Sequence, residues 1–546
     1  MIEIVIGILG TALFIQFIFL ISYIGMKRRR RAFVREKFGK VPKPREWNEN
    51  IRGFYDVVSD GSGVDDVTWN DLSMNEVFQR ISQCDTSVGE EILYWKLRRN
   101  QMTEEERQLF ERRVRMFLNN EKEREEIEVL LCEIGKSPAS YSIPAYLDSM
   151  DVYLLKNMWI YRVMQVLLAA SFLFLLIVHN DAAVMPFVVV SVANLMLYTA
   201  VKMKHETGLY MVGTAVSLLR SGKQLCKRRE IEVFFPELKK ALYGLKGISR
   251  TGWFLQFQQA GRDSQDILAT FLDYIGGITL WQVTTYDKVM RRLKAQQETY
   301  FAVYQCIGEM DAALSTASLR KSLPWYCLPH FGSGKTIEMK EAYHPLIQDP
   351  VANSVTIEKN CLITGSNASG KSTFIKAVAV NAILAQALNT CAADVWILPE
   401  CSVISSMAVK DDLMAGESYF IREIRYLKRI LDSLCEEKTA LCVIDEILRG
   451  TNTGERIRAS RAILEYLLDK NCIALVATHD KELTELLGGE YANYHFSEEI
   501  GENDITFSYQ ILKGPATSHN AVKLLEFAGF PQEIIRASEE TAERKG

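Results

Sequence analysis

The chain has 546 residues, with 64 Lys and Arg against 68 Asp and Glu and a formal net charge of −4. That length implies two or more domains, and the slight acidic excess rules out a chain-wide nucleic-acid footprint. Eleven cysteines are scattered without a C-x-x-C pair or metal-ligand spacing. They read as reduced core thiols of a cytosolic compartment, with no disulfide partner expected.

Ile4 to Met26 is uncharged and strongly apolar, long enough to cross about 30 Å of hydrocarbon. Lys27-Arg28-Arg29-Arg30-Arg31 follows at once, with Arg35, Lys37, Lys40, Lys43 and Arg45 beyond it. A cleaved leader would carry its charges ahead of the apolar stretch, so the segment reads as a retained anchor. Its flanking charge places the N-terminus outside and the rest of the chain in the cytoplasm. The basic stretch reads as a topology signal with attraction to anionic lipid, with a nucleic-acid contact as the alternative. Trp47 to Asp66 is a Gly- and Asp-rich linker. Ser73-Met74-Asn75-Glu76 and Thr103-Glu104-Glu105-Glu106 each open a helix by the capping-box pattern.

A second apolar region follows. Val163 to Val178 and Ala182 to Val201 are nearly free of charge and are joined by His179-Asn180-Asp181. Lys156, Arg162, Lys202 and Lys204 flank the pair, and Trp159, Tyr161 and Tyr198 suit an interfacial belt. This predicts a transmembrane helical hairpin, with a buried soluble helix pair as the alternative. With the N-terminal anchor it makes three spans of a multi-pass cell-membrane protein. From His205 to Leu319 the sequence is amphipathic and helical, and Val303, Ile307, Met310 and Leu314 mark one buried face. Lys223, Lys227, Arg228 and Arg229 form a second basic cluster, read as a solvated or lipid-facing surface.

Gly365-Ser366-Asn367-Ala368-Ser369-Gly370-Lys371-Ser372 matches the phosphate-loop pattern G-x-x-x-x-G-K-S. The β-leaning run Cys361–Thr364 precedes it, and Thr373 to Leu388 continues as a helix. In such a loop backbone N–H groups and a helix N-terminus cradle a polyphosphate. Lys371 is then the candidate for the β- and γ-phosphates, and Ser372 for Mg²⁺. The apolar strand Thr439 to Ile444 ends in Asp445-Glu446, which makes Asp445 a second Mg²⁺ candidate and Glu446 a candidate to polarise water. A third strand, Ile473 to Thr478, delivers His479, a candidate to orient water or sense the γ-phosphate.

The order of these segments resembles the ATPase domain of the MutS family. The resemblance rests on Gly365–Thr373, Asp411-Asp412 with Gly416-Glu417-Ser418-Tyr419-Phe420, Asp445 through Thr453, and Ala477-Thr478-His479. Ser366 stands where the family usually has Pro, and Leu448 where it usually has Gly. The resemblance implies an α/β P-loop ATPase domain of ABC type that binds ATP with Mg²⁺ and works as a dimer, expected here to be a homodimer. Ser418 would reach the partner's nucleotide. His344-Pro345-Leu346 resembles the family's approach to the nucleotide, and 204–320 resembles its lever helices.

The expected organisation is an anchor (1–26), a basic juxtamembrane segment and linker (27–66), and a first helical part (67–158). A transmembrane hairpin (159–203), lever-like helices (204–320) and the ATPase domain with dimerisation helices (321–546) follow. The fold class is thus an ATPase domain preceded by an all-α core with transmembrane helices. The span 27–66 is too short for a mismatch-reading domain, and Phe54-Tyr55-Asp56 is only a faint echo of the family's Phe-x-Glu wedge. The resemblance makes mismatched or branched DNA the expected effector. The alternative is a nucleotide-gated membrane scaffold with a protein partner and no DNA binding. A transporter is disfavoured, because the spans carry no internal charge.

Overall fold

The computed structural model describes residues 24–136, 138–178, 180–251, 267–366, 369–407, 419–500, 505–516 and 529–534. The first apolar segment therefore lies outside the described residues up to position 23. The chain divides into two compact units. The first comprises Met1–Asp60, Ile81–Trp95 and Leu109–Lys321; the second comprises Gly61–Arg80, Lys96–Gln108 and Ser322–Gly546.

In its described residues the first unit is helical. A helix over 24–37 carries the basic run. Its charges meet an acidic helix, Glu121–Ile134. Arg30 lies 3.5 Å from Glu133, Arg35 2.5 Å from Glu125, and Lys37 3.0 Å from Glu128 and 2.5 Å from Asp85; Arg31 pairs with Glu126. Arg228 of the second basic cluster also reaches Glu126, at 2.5 Å. These cations thus have partners inside the protein, which weakens their reading as a lipid or nucleic-acid footprint.

The long helix Gln297–Ser322 runs through the core, with Val303, Ile307, Met310 and Leu314 fully buried as their spacing predicts. On it, Asp311 accepts hydrogen bonds from the backbone N–H groups of Asp85 and Thr86 and from the Thr86 hydroxyl at 2.6 Å. Thr86 in turn caps the helix Ser87–Arg99, its hydroxyl oxygen accepting from the Gly89 N–H at 2.8 Å. Phe54 is fully buried and stacks on Tyr304 at 5.7 Å. It is a core residue, unable to act as a wedge on a base.

Two helices, Met158–Val178 and Asp181–Lys204, are long and apolar enough to cross a membrane. Only 6% and 17% of their most apolar windows is covered by the rest of the protein. A buried soluble pair would hide such faces; these present Val166, Phe172, Leu173, Ile177 and Val189 outward. Pro186 lies six residues into its helix, past the first turn, where it removes the N–H that would otherwise bond the carbonyl one turn back.

The second unit is α/β. Its strands are β1 (His330–Phe331), β2 (Ile337–Ala342), β3 (Asn353–Ile357), β4 (Cys361–Thr364), β5 (Val395–Leu398), β6 (Cys401–Ser406), β7 (Thr439–Asp445), β8 (Cys472–Ala477), β9 (Ala492–Ile500) and β10 (Ile505–Lys513). The main sheet has the order β10-β9-β4-β8-β7-β6 and is parallel except for the antiparallel edge β10. A smaller sheet has the order β1-β5-β2-β3. β4 and β8 are buried at every position, as expected for central parallel strands covered on both faces. The helix Lys371–Leu388 is buried along nearly its whole length. In the same unit Thr103 and Glu106 form a full capping box, each side chain accepting from the other's backbone N–H at 3.2 and 2.9 Å. Ser73 does not. It adopts a left-handed φ of 53°, and the N–H of Glu76 donates instead to its main-chain carbonyl at 3.1 Å.

Candidate nucleotide site

Parallel strands deliver their loops to one edge of the sheet, and the candidate residues sit on those loops. After β4 the chain turns through Gly365, at φ +145°, and Gly370, at φ +107°. Side chains rarely tolerate such angles, which accounts for both glycines. Asn367 and Ala368 lie outside the described residues. Lys371 opens the helix, and its Nζ donates to the carbonyls of Gly365 and Ser366 at 2.8 and 2.7 Å. Burial draws its pKa below the ordinary lysine value, against the raising effect of Asp445, Glu446 and Glu498. Ser369 clips the loop by donating to the Ser366 carbonyl at 2.9 Å. The Ser366 hydroxyl donates to Glu498 of β9 at 2.7 Å, a bond that proline could not make. Thr373 lines the cleft described below.

At the end of β7, the Asp445 carboxylate faces the Ser372 side chain. Burial raises the Asp445 pKa, and the nearby Ser372 side chain opposes the rise. Glu446 follows in a left-handed conformation, φ +61°. Its N–H donates to the Ala477 carbonyl at 2.9 Å, fixing β7 to the end of β8. Its two carboxylate oxygens reach His479 Nε2 at 3.0 Å and Arg449 Nε at 3.1 Å. The His479 hydrogen bond is the main reason its pKa lies below the usual glutamate value. The loop carrying His479 is itself held by a two-pronged contact of Arg456 with Asp480, at 2.8 and 2.6 Å. Strain of this kind persists only where the surroundings enforce it.

Sequence patterns gave no role to Glu423 or Glu498. Glu423 is buried on the helix Tyr419–Ser433, and its two oxygens accept from the backbone N–H groups of Arg449 and Gly450 at 3.2 and 3.1 Å. It thereby holds the loop whose Arg449 grips Glu446. A signal was present: Glu423 shares a helical face with Phe420, Leu427 and Ile430, which pack into the core. A carboxylate on an apolar stripe needs a partner. Ser418, Asp411, Asp412, Gly416 and Glu417 lie outside the described residues.

A cleft of about 260 Å³ opens beside the phosphate loop. Tyr343, His344, Ile347, Phe374, Phe496 and Tyr509 line it, together with Gly370 and Thr373. His344 is neutral, because burial lowers its pKa to about 4, and its Nδ1 accepts from the Leu346 N–H at 3.3 Å. An apolar slot walled by aromatic rings suits a planar heterocycle.

The donor set fits Mg²⁺ better than a fully coordinated protein-bound ion. Ser372 and Asp445 offer hard oxygens, and no cluster of three or more His, Cys, Asp or Glu ligands occurs among the described residues. Mg²⁺ is commonly held by one or two protein oxygens plus phosphates and water.

Comparison with known proteins agrees with this geometry. Residues 361–544 match the family model described as MutS domain V. Over these residues the chain is similar to the domain V of MutS proteins. It is 30% identical over 276 residues to the DNA mismatch repair protein MutS of Thermotoga petrophila, covering 47% of this chain and 33% of that protein. It is 30% identical over 251 residues to the protein of the same name from Thermus thermophilus, covering 45% and 30%. The Streptococcus pyogenes serotype M1 protein is 29% identical over 278 residues, covering 47% and 32%. The chain therefore spans about a third of the length of these MutS relatives.

Proposed function

We propose that this chain is a membrane-anchored MutS-family ATPase that works as an ATP-switched dimer. The observation that best supports it is the meeting of Lys371, Ser372, Asp445 and Glu446 beside one phosphate loop and one aromatic cleft. In this reading the cleft takes the adenine ring. Gly365 to Thr373 wrap the phosphates, with Asn367 and Ala368 contributing backbone N–H groups. Lys371 exchanges the carbonyls of Gly365 and Ser366 for phosphate oxygens, a gain because the acceptor is then charged as well as the donor. Ser372 and Asp445 hold Mg²⁺, which supplies neutralisation of charge developing on the phosphates. Glu446 orients the attacking water, and His479 holds Glu446 in place. Ser418 of a second copy completes the site.

The expected effector is DNA, since the relatives are named as DNA mismatch repair proteins. A protein partner is the second reading. It is favoured by the internal pairing of the N-terminal basic residues with Glu125, Glu126, Glu128 and Glu133. Membrane anchoring rests on the exposed apolar hairpin Met158–Val178 and Asp181–Lys204, with the ATPase unit on the cytoplasmic side.

The test is ATP turnover by the detergent-solubilised protein, with and without duplex, mismatched and branched DNA. Lys371→Ala should abolish hydrolysis, and full turnover in that variant would refute the site. Stimulation by a DNA form supports DNA as effector. No change in rate and no binding at low salt would leave the protein-partner reading.

A further inference from the structure

Two amides lie within the hairpin, Gln165 on its first helix and Asn194 on its second, along with the hydroxyls of Ser171 and Ser191. Asn194 is fully buried, and its Nδ2 donates to the Ile278 carbonyl at 2.8 Å. Gln165 Nε2 donates to the Thr279 carbonyl at 3.0 Å. Both acceptors lie where the helix Ile267–Ile278 turns into the helix Trp281–Ala295. Leu280 makes the reversal in a left-handed conformation, φ +51°.

The main-chain carbonyls of the tip are satisfied, although Asn194 Oδ1 is itself buried without a hydrogen-bond partner. The Ile275 carbonyl accepts from the Thr279 N–H at 3.0 Å and its hydroxyl at 2.7 Å. Gly276 accepts from the Thr279 hydroxyl at 3.4 Å, Gly277 from the Leu280 N–H at 3.1 Å, and Leu280 from the Thr284 N–H at 3.2 Å. Together with Asn194 and Gln165, every main-chain carbonyl from Ile275 to Leu280 has a donor. A helix end in water needs no such provision, since solvent satisfies its last carbonyls. A helix end in hydrocarbon does.

Position and surface agree. Lower on the same hairpin helix, Tyr198 donates to Asp273 and Lys202 pairs with Asp273, each at 2.6 Å. The helix Ile267–Ile278 thus runs alongside Asp181–Lys204, with Asp273 at the charged end and Ile278 deeper. Close approach is possible because a Cβ on Gly277 would sit 2.6 Å from the Tyr198 ring. From Lys202 to Asn194 is eight residues, roughly 12 Å at ~1.5 Å each, within the ~15 Å half-thickness of the hydrocarbon. Tyr274, Ile275 and Trp281 are 56%, 41% and 44% exposed, continuing the outward apolar surface of the hairpin.

We propose that Ile267–Ile278, its turn and the start of Trp281–Ala295 form a re-entrant hairpin seated among lipid acyl chains beside the two spans. This rests on the membrane reading above. Asn194 and Gln165 are the polar residues that permit it, and Asp273 with Lys202 marks the headgroup level.

The test uses the full chain in vesicles of phosphatidylcholine and phosphatidylglycerol, with a benzophenone amino acid placed singly at Ile275, Phe172 or Arg112. These positions are, respectively, on the tip helix, on the hairpin's exposed face, and on the exposed face of a charged helix. Ultraviolet crosslinking followed by mass spectrometry reads the lipid adduct. The expected result is an adduct at Ile275 within about twofold of that at Phe172, and at least tenfold above Arg112. An adduct at Phe172 with Ile275 at the Arg112 level overturns the re-entrant hairpin alone. Background at both positions overturns the membrane reading itself.

Discussion

Leu448 sits in the loop after β7 at φ +55° and is 5% exposed within the apolar cluster of Ile444, Ile447 and Ile457. It offers a contest between two effects. A left-handed conformation costs an L-residue roughly 1–2 kcal/mol, which Leu448→Gly would relieve. Truncating a buried leucine costs roughly 2–5 kcal/mol. Burial therefore wins, and Leu448→Gly should destabilise the second unit by about 1–3 kcal/mol. Leu448→Ala loses nearly the same side chain and keeps the strain, so it should be the less stable of the two by about 1 kcal/mol. That order is the reverse of the usual one in regular structure, where alanine exceeds glycine. Urea and thermal unfolding of the three proteins measure it, with about 2–4 °C in Tm per kcal/mol for a unit of this size. An alanine variant as stable as the glycine variant would refute the claim of strain. A glycine variant more stable than the parent would refute the claim that burial outweighs it.

Glu423→Gln sets an amide NH₂ against a backbone N–H of Arg449 or Gly450. Hydrogen bonds to charged groups are worth about 1.5–3 kcal/mol, so turnover should fall roughly 10–100-fold while the KM for ATP stays within about threefold; an unchanged kcat would show that Glu423 does not position the loop. His344 should make stability depend on pH. Its folded pKa of about 4 lies below the ordinary 6.5, so the unfolded chain takes up the proton first. Its contribution, up to about 3 kcal/mol, is complete above pH 6.5 and is lost as pH falls toward 4. Urea midpoints between pH 7 and 4.5 should therefore fall less steeply for His344→Gln than for the parent. Asn194→Leu leaves the Ile278 carbonyl unpaired and should lower stability in detergent by about 0.6–1.7 kcal/mol, whereas Val189→Leu, on the exposed face, should be neutral.

Much of the second unit was legible because its elements follow local rules. The run Cys361–Thr364, the Gly365–Ser372 loop and the apolar strands ending in Asp445 and Ala477 declare themselves by spacing and composition. The periodic face Val303, Ile307, Met310 and Leu314 did the same for the first unit. What stayed hidden depends on pairing between distant segments. Nothing near Arg35 announces Glu125, 90 residues away, so the basic run looked like a free surface. Glu423 contacts a loop 26 residues on, and its role appears only when the helix and loop meet. The Ser73 capping pattern failed because its backbone took a left-handed turn that directs the main-chain carbonyl, in place of the side chain, at Glu76. Gln165 and Asn194 carry no local signal either, because their acceptors lie on another helix more than 80 residues along the chain.

The pairing of helix 24–37 with Glu121–Ile134 has a consequence in time. During synthesis at about 5–20 residues per second, the arginines emerge several seconds before the glutamates that will neutralise them. On the membrane reading proposed above, in that interval they are bare cations, able to bias the orientation of the apolar segment ahead of them. Once Glu121–Ile134 has folded, the same side chains become internal ties. One set of charges can thus serve first as a sorting cue for the nascent chain and afterwards as a fastening within the finished one.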